Sequence, residues 1–205
     1  PWGIFFITVC VLLYVTRPTL LLMLYSVVAN LVTAAVAALL WNTFLQDYQK
    51  MRVISFINPQ QDPFGAGYQV IQSMVAIGSG QVVGKGYLQG TQTRLSFLPE
   101  QHTDFIFSVL GEQFGLIGCA GVIFLFMFLV VRGFFTTQVV KNRFTNLVIV
   151  GATSIIAFHV FVNIAMTIGM MPVTGIPLPF LSYGGSFTMT VAVLVGLILN
   201  ARVSR

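Results

Sequence analysis

Five acidic residues, Asp47, Asp62, Glu100, Asp104 and Glu112, are all that this sequence of 205 residues offers for carboxylate chemistry. Nothing acidic follows Glu112, so acid–base or metal chemistry falls to one stretch of chain. That stretch is densest at 97–107, Phe-Leu-Pro-Glu-Gln-His-Thr-Asp-Phe-Ile-Phe. Pro99 ends the structure before it. Thr103 is a good helix N-cap and would put Asp104 in the first turn of the apolar helix that follows. The helix dipole favours a carboxylate there. Two readings stand level: Asp104 helps cap the helix, or it is a functional acid. Asp104, Ser108 and Glu112 follow one another at i+4, a polar stripe running about 12 Å along one helix face. An acid at that depth needs a cavity or a partner. For Glu112 a buried structural hydrogen bond and a functional role are both open, with Gly111 and Gly115 nearby to admit a close neighbour.

Other polar residues stand out against apolar surroundings. His159 and Asn163 are again four apart, with Met166 and Met170 continuing the face. One His and one Asn are too few for a metal site, so helix–helix hydrogen bonding is the expectation. Lys85 and Arg94 lie in Gly-Lys-Gly-Tyr-Leu-Gln-Gly-Thr-Gln-Thr-Arg, 84–94. Glycines around a lysine let backbone approach a phosphate, although this is not the spacing of a P-loop and a solvated loop charge is the default. The segment 172–186, Pro-Val-Thr-Gly-Ile-Pro-Leu-Pro-Phe-Leu-Ser-Tyr-Gly-Gly-Ser, has three prolines that forbid regular helix. Apolar, non-helical chain at membrane depth is tolerated where protein buries it or where it lines a cavity, so this segment either walls a site or makes a tight turn.

The elements that must hold these residues are membrane helices. The chain is 57% hydrophobic and 7% charged, against roughly 25% charged in soluble domains. A surface so poor in charge must face lipid. Five stretches approach the length of a span: Trp2–Thr16, Thr19–Leu45, Phe105–Val131, Leu147–Met171 and Ser186–Asn200. The expected fold is therefore all-α, a polytopic transmembrane bundle. Residues 1–45 hold two spans, the first shortened at its start. Residues 46–104 form a long extracytoplasmic loop, and 105–205 hold three spans with a Pro/Gly-rich outer connection at 172–185. The chain opens on Pro1 inside an apolar run, without the basic region of a signal peptide, and reads as one whose beginning is missing. Within the loop, Tyr68, Ile71, Met74 and Val75 recur at helical spacing, which predicts a short amphipathic helix on the membrane surface or packed on the loop itself. Arg17, Arg132, Lys141, Arg143, Arg202 and Arg205 fall on one side if the spans alternate, and short basic loops stay in the cytoplasm. The net charge of +5 is thus a topology signal and gives no reason to expect nucleic acid. Cys10 and Cys119 sit in apolar runs as small hydrophobes, too few for a disulfide framework or a zinc site.

Several motifs together resemble the SEDS family (shape, elongation, division and sporulation), the RodA and FtsW proteins of bacteria. They are Asn58-Pro59, Asp62-Pro63, Gly65-Ala66-Gly67-Tyr68, Gln72-Ser73, Ala76-Ile77-Gly78-Ser79-Gly80 and Gly84-Lys85-Gly86. Phe97-Leu98-Pro99-Glu100, His102-Thr103-Asp104-Phe105-Ile106-Phe107, Pro177-Leu178-Pro179-Phe180 and Ser182-Tyr183-Gly184-Gly185-Ser186 complete the set. The Gly-Lys-Gly and Gly90-Thr91-Gln92 elements look more like the RodA branch. The layout is that of the later half of a family member. Gly80-Gln81 and Glu112-Gln113 depart from the Gly-Gly and the paired acids of many members.

The resemblance implies a multi-pass protein of the bacterial cytoplasmic membrane. Its members polymerise lipid II, an undecaprenyl-diphosphate-linked disaccharide–pentapeptide, on the extracytoplasmic face during cell elongation. They pair with a class B penicillin-binding protein that crosslinks the strands. The family's essential acid maps to Asp104. Lys85, Arg94, Glu100, His102 and Ser182 become candidate substrate-binding residues, and Ser108, Glu112, His159 and Asn163 candidate intramembrane supports. In the expected inverting transfer, the 4-hydroxyl of GlcNAc attacks C1 of the lipid-linked MurNAc, with Asp104 as base or as ligand of a divalent cation, Mg or Mn. A helix N-terminus lowers a carboxylate's pKa, which favours the cation-binding or orienting role. A lipid II flippase and a non-catalytic scaffold of the wall-synthesis complex are the rival readings.

Overall fold

The structure is a computed structural model, which describes residues 20–62, 65–94 and 100–203 of the chain. The described residues are helical, with no strand among them, and divide into two compact units, 1–50 and 51–205. The span expected at Trp2–Thr16 lies outside the described residues.

In the first unit, α1 (Leu20–Thr43) is a 24-residue apolar helix. Its few polar side chains turn back on their own turn: Asn30 Nδ2 donates to Ser26 O at 2.8 Å and Thr33 Oγ1 to Ala29 O at 2.7 Å. Lipid offers no partner for such groups, so they satisfy themselves within the helix. The next helix, α2 (Asp47–Ile57), crosses the boundary between the units.

The second unit is built around α5 (Ile106–Val139), α6 (Arg143–Thr167) and α7 (Gly185–Val203), with α3 (Ala66–Gly80) packed on α5 and the four-residue α4 (Thr91–Arg94) beside it. Three helices, α1, α5 and α6, are long and apolar enough to cross a membrane among the described residues. The apolar run of α7, Gly185–Asn200, is shorter. Ile149, Ala152 and Ile156 of α6 pack with Ile198 of α7, while Phe107, Cys119 and Phe126 of α5 pack around Leu178 of the connection between α6 and α7. Asn142 caps α6 by accepting from Phe144 N at 2.9 Å, which ends the short link from α5.

The stretch expected to be loop is thus largely helix. The surface of α3 that packs inward is Gly67, Val70, Ser73, Ala76 and Gly80, whereas Met74 and Val75 are exposed. Met74 and Val75 belong to the apolar face named by the periodicity and stay exposed, as a helix lying on a membrane surface would hold them, while the close contact with α5 uses small residues that carry little hydrophobic signal. Gly80 lies so near the backbone of Gly111 that a Cβ would overlap it. Before α3, the Asp62 carboxylate accepts from Ser55 Oγ (3.1 Å) and Gly65 N (3.0 Å), which makes Asp62 the knot of this turn.

The longest helix is also broken. At 34 residues, α5 would run about 51 Å. Gly115 interrupts it with φ 63° and ψ −160°, a conformation that excludes other residues. The backbone groups the break sets free are taken by the chain that follows α3. Lys85 N and Gly86 N donate to Glu112 O and Gln113 O, both at 3.0 Å. Leu116 N donates to Gln81 O at 2.9 Å and Ile117 N to Val82 O at 3.2 Å. A non-helical backbone in a span is tolerated when protein satisfies it, and residues 81–86 do so here.

Candidate functional site

Asp104 does not lie in the first turn of the span. The helix begins at Ile106, with Phe105 as its N-cap residue and no side-chain cap. Thr103 faces backwards: its hydroxyl is 3.2 Å from Glu100 O and 3.1 Å from Glu100 Oε2. Thr103 N and Phe105 N also donate to Glu100 O, at 3.2 and 3.3 Å. Residues 100–105 therefore close as a tight turn around one carbonyl, and Glu100 has a left-handed backbone (φ 53°) to begin it. Phe105 is buried with Val70 and Val173, which anchors the exit of the turn. The expectation of a Thr103 cap fails because the helix begins later than expected: Phe105 takes the N-cap position, and Thr103, two residues before it, turns its hydroxyl to Glu100.

Three successive carbonyls of this turn are then clamped by the chain around the connection from α6 to α7. Tyr183 N donates to His102 O at 2.8 Å. Ser182 Oγ donates to Thr103 O at 2.6 Å and accepts from Leu178 N at 2.7 Å. Asn163 Nδ2, from α6, donates to Asp104 O at 2.8 Å and to Ile176 O at 2.8 Å. The apolar connection with its prolines thus walls the acidic turn. Its own bend at Gly175 has φ 71°, and a Cβ there would lie 3.3 Å from Asp104 Oδ2.

The electrostatics reverse the expectation as well. Burial raises the Asp104 pKa above its ordinary 3.8, and the negative charge of Glu100 raises it further, against smaller lowering effects from Thr103 and Arg52. Without a place in a helix's first turn, Asp104 lacks the dipole that would have depressed it. A half-buried carboxylate with increased proton affinity is a better proton acceptor than a surface aspartate.

The other predicted residues divide among separate places. Glu100, His102, Ser182 and Asn163 join Asp104 in the clamped turn. His159 Nδ1 donates to Pro177 O at 3.4 Å and its ring stacks on Phe187 with centroids 5.0 Å apart, which supports the wall from behind. Ser108 lies with α3: Ser73 Oγ donates to Thr167 O at 2.6 Å, so Ser108 Oγ donates to Ser73 Oγ at 2.6 Å, joining three helices through two hydroxyls.

Glu112 and Lys85 form a second cluster. The wholly buried Glu112 carboxylate accepts from Lys85 Nζ (3.0 Å), Thr91 Oγ1 (3.3 Å), Gln92 N (2.9 Å), Thr93 N (3.0 Å) and Thr93 Oγ1 (2.7 Å). Glu112 thereby ties α4 to the broken helix, and the Lys85 ammonium is spent on it. Lys85, 28% exposed, is thus paired with Glu112 and is not the solvated loop charge that was the default expectation. The Arg94 side chain lies outside the described residues.

A cavity of about 890 Å³ is lined by His102, Ser182 and Tyr183 of the clamped turn and its wall together with Ile106, Met189 and Ala192, while Asp104 is not itself among its lining residues. His102 and Ile106 flank Asp104 in the chain. A mostly apolar lining with a few polar groups suits a molecule with a polar head and a hydrocarbon tail. Sequence reasoning missed the clamp on Asp104 O and the part of Gly175. Only the glycine inside a proline-rich run signalled it, as a place where the chain turns tightly.

Comparison with known proteins follows the same lines. Residues 2–205 match the family described as cell cycle protein, FtsW/RodA/SpoVE. The chain is 43% identical over 178 residues to the peptidoglycan glycosyltransferase MrdB of Escherichia coli (strain K12), covering 87% of this chain and 48% of that protein. It is 45% identical over 168 residues to the peptidoglycan glycosyltransferase RodA of Treponema pallidum (strain Nichols), covering 81% and 39%. It is 43% identical over 159 residues to the stage V sporulation protein E of Bacillus subtilis (strain 168), covering 77% and 43%. A solved structure described as structural coordination of polymerization and crosslinking by a peptidoglycan synthase complex contains a chain similar to this one. Its TM-score is 0.59 at 35% identity, over 87% of this chain and 48% of that one. The chain spans about half the length of the curated relatives it matches.

Proposed function

This chain belongs to the FtsW/RodA/SpoVE family, and on that premise we propose that the protein of which it is part is a peptidoglycan glycosyltransferase that polymerises lipid II for cell elongation. The chain is that of a multi-pass membrane protein. The observation that carries the proposal is Asp104: a half-buried carboxylate with raised proton affinity, held at three successive carbonyls beside an open amphipathic cavity.

The chemistry this supports is an inverting displacement. The 4-hydroxyl of an acceptor GlcNAc attacks C1 of the lipid-linked MurNAc. The C1–O bond to the diphosphate breaks, undecaprenyl diphosphate leaves with the electron pair, and the hydroxyl proton passes to Asp104. Residues 102–104 are immobilised through their backbone, so the carboxylate is in place before substrate arrives and loses little freedom on reaction. The cavity's mostly apolar lining suits the polyprenyl chain, and its few polar groups the sugar and diphosphate.

A divalent cation, Mg or Mn, is part of the proposal. Among the described residues no group of three or more His, Cys, Asp or Glu converges. Magnesium is commonly held by one or two carboxylates plus substrate phosphates, so Glu100 and one oxygen of Asp104 together with the diphosphate would fit it where they would not fit zinc, which leaves the second Asp104 oxygen for the proton. Bound there, it would supply positive charge to the leaving diphosphate. The residues themselves supply the proton acceptor and its orientation.

The site would face outward, on the extracytoplasmic side, as the basic residues of the short loops direct, and a class B penicillin-binding protein would crosslink the product. The rival flippase reading would use Glu112, His159 and Asn163 as intramembrane polar groups along a path. Each of them is hydrogen-bonded to neighbouring backbone, which favours the glycosyltransferase reading over it. The test is the full-length protein, purified with its transpeptidase and given lipid II, with products run on a gel that resolves glycan strands. Polymer that vanishes with chelator and returns with Mg or Mn supports enzyme and cation together. Polymer that survives chelation removes the cation, and no polymer from folded protein returns the flippase and scaffold readings.

A further inference from the structure

Asn163 is wholly buried on α6, and its two polar atoms have opposite fates. Nδ2 serves two carbonyls at once, Asp104 O and Ile176 O, each at 2.8 Å. Oδ1 is buried with no donor. Turning the amide over would bring Oδ1 against those same two carbonyls, so the orientation is fixed by the network. A buried acceptor without a partner is rare and carries a penalty. A leucine would fill the same space in an apolar helix without that penalty. The side chain is therefore suited to its pair of N–H donors, at a net cost to packing.

The two carbonyls it joins are those that define the carboxylate's place. Asp104 carries the carboxylate. Ile176 follows Gly175, whose left-handed turn (φ 71°) and missing side chain leave the room in which Asp104 Oδ2 lies. Ser182 and Tyr183 hold the two preceding residues, but both belong to the connection between helices. Asn163 is the one member of the clamp that stands on a membrane helix, the most rigid support available.

We propose that Asn163 is a positioning residue for the transfer reaction: through one nitrogen it staples Asp104 to the Gly175 turn and fixes where the carboxylate meets the acceptor hydroxyl. This rests on the glycosyltransferase reading above. Asn163 touches neither substrate nor reacting atoms. Its loss lets the 102–104 backbone drift, and a displacement of about 1 Å at a reacting group costs on the order of 100-fold in rate.

Two measurements on the full-length protein with its transpeptidase test it. In the first, steady-state polymerisation of lipid II is compared for wild type, Asn163→Leu and Asn163→Asp. The aspartate keeps the shape and at most one of the two donors, and so guards against a leucine variant that fails to fold. Thr153→Val serves as control, since Thr153 is a buried residue of the same helix, away from the clamp, whose hydroxyl has no partner. The expected result is a kcat lower by about 10- to 100-fold in both Asn163 variants, with KM for lipid II within about twofold and the control unchanged. In the second, Cys10 and Cys119 are replaced by alanine, and the thiol introduced by Asp104→Cys is titrated with a methanethiosulfonate, with and without Asn163→Leu. The expected result is modification at least about fivefold faster once the staple is gone. Wild-type kcat in both Asn163 variants overturns the inference, and so does an unchanged thiol rate. If wild type makes no polymer, the glycosyltransferase reading falls and this inference falls with it. Polymer from wild type with unaltered Asn163 variants sinks this inference alone.

Discussion

Replacing Glu112 by leucine should be among the most destabilising single changes in the second unit. The Glu112 carboxylate, fully buried, accepts from Lys85, from Gln92 N and Thr93 N, and from the hydroxyls of Thr91 and Thr93. Leucine removes every acceptor at once and leaves the donors behind. Breaking a buried ion pair from one side costs about 3–5 kcal/mol. The two orphaned amides would add about 1–3 kcal/mol each if they stayed buried. Lys85 is 28% exposed and α4 has only four residues, so both can swing toward water and recover part of the loss. The net expectation is about 3–5 kcal/mol, which at about 2–4 °C per kcal/mol for a chain of this size lowers Tm by about 10 °C. Lys85→Met alone should cost less, about 1.5–3 kcal/mol for one charged hydrogen bond, because the remaining donors still satisfy Glu112. The double variant Lys85→Met, Glu112→Leu should recover part of the leucine variant's loss, since no buried ammonium is then left unpaired. Thermal melting of the full-length protein in detergent, followed by loss of monodispersity, reads all three. A leucine variant melting within about 2 °C of wild type, less than about 1 kcal/mol, would refute the view that this carboxylate holds α4 to the broken helix.

Further outcomes follow from the site and the break. Gly175→Ala should lower polymerisation on the order of 10-fold or more, because it strains a left-handed residue by about 1–2 kcal/mol and crowds Asp104 Oδ2. Asp104 binds its proton more tightly in the folded protein than in the unfolded chain, so its ionisation disfavours the fold. That cost is present above the raised pKa and disappears as pH falls through it, so acid costs no stability through this group. Activity has the opposite sign: it requires the ionised form, and kcat/KM should fall on the acid side at a pH above an ordinary aspartate's. Glu100→Gln removes a charge that raises Asp104 and should move that limb to lower pH in a pH–rate profile. Gly84→Ala or Gly115→Ala should abolish folded protein in a size-exclusion assay, since a Cβ at either would overlap the backbone of the facing segment.

The helices were legible because their signal is simple: long apolar runs bounded by basic residues and prolines. The observed α5 and α6 keep the expected places, while α5 runs on to Val139. The importance of the 97–107 segment and of the proline-rich connection was legible too, since acids and non-helical backbone are conspicuous in an apolar chain. What was not legible is how the two meet. Thr103 has the chemistry of an N-cap, and only the fold reveals that the helix starts at Ile106, with Phe105 in the cap position. The direction of the Asp104 pKa followed from that misplacement. Lys85 and Glu112 are 27 residues apart and gave no sign of pairing, because nothing in the sequence shows that residues 81–86 dock into a break at Gly115. The packing face of α3 was hidden for a related reason: glycine and serine make close contacts without marking them by hydrophobicity.

The central claim is that Asp104 accepts the proton of the attacking hydroxyl. Its most direct test is the rate of lipid II polymerisation by full-length Asp104→Asn beside wild type, both with the transpeptidase bound and with matched melting temperatures. Asparagine keeps the shape and the backbone carbonyl that Asn163 holds, and removes only the basic oxygen. The account predicts a loss of at least about 100-fold, the usual worth of a positioned general base. Polymer formed by the asparagine variant at close to the wild-type rate would contradict it.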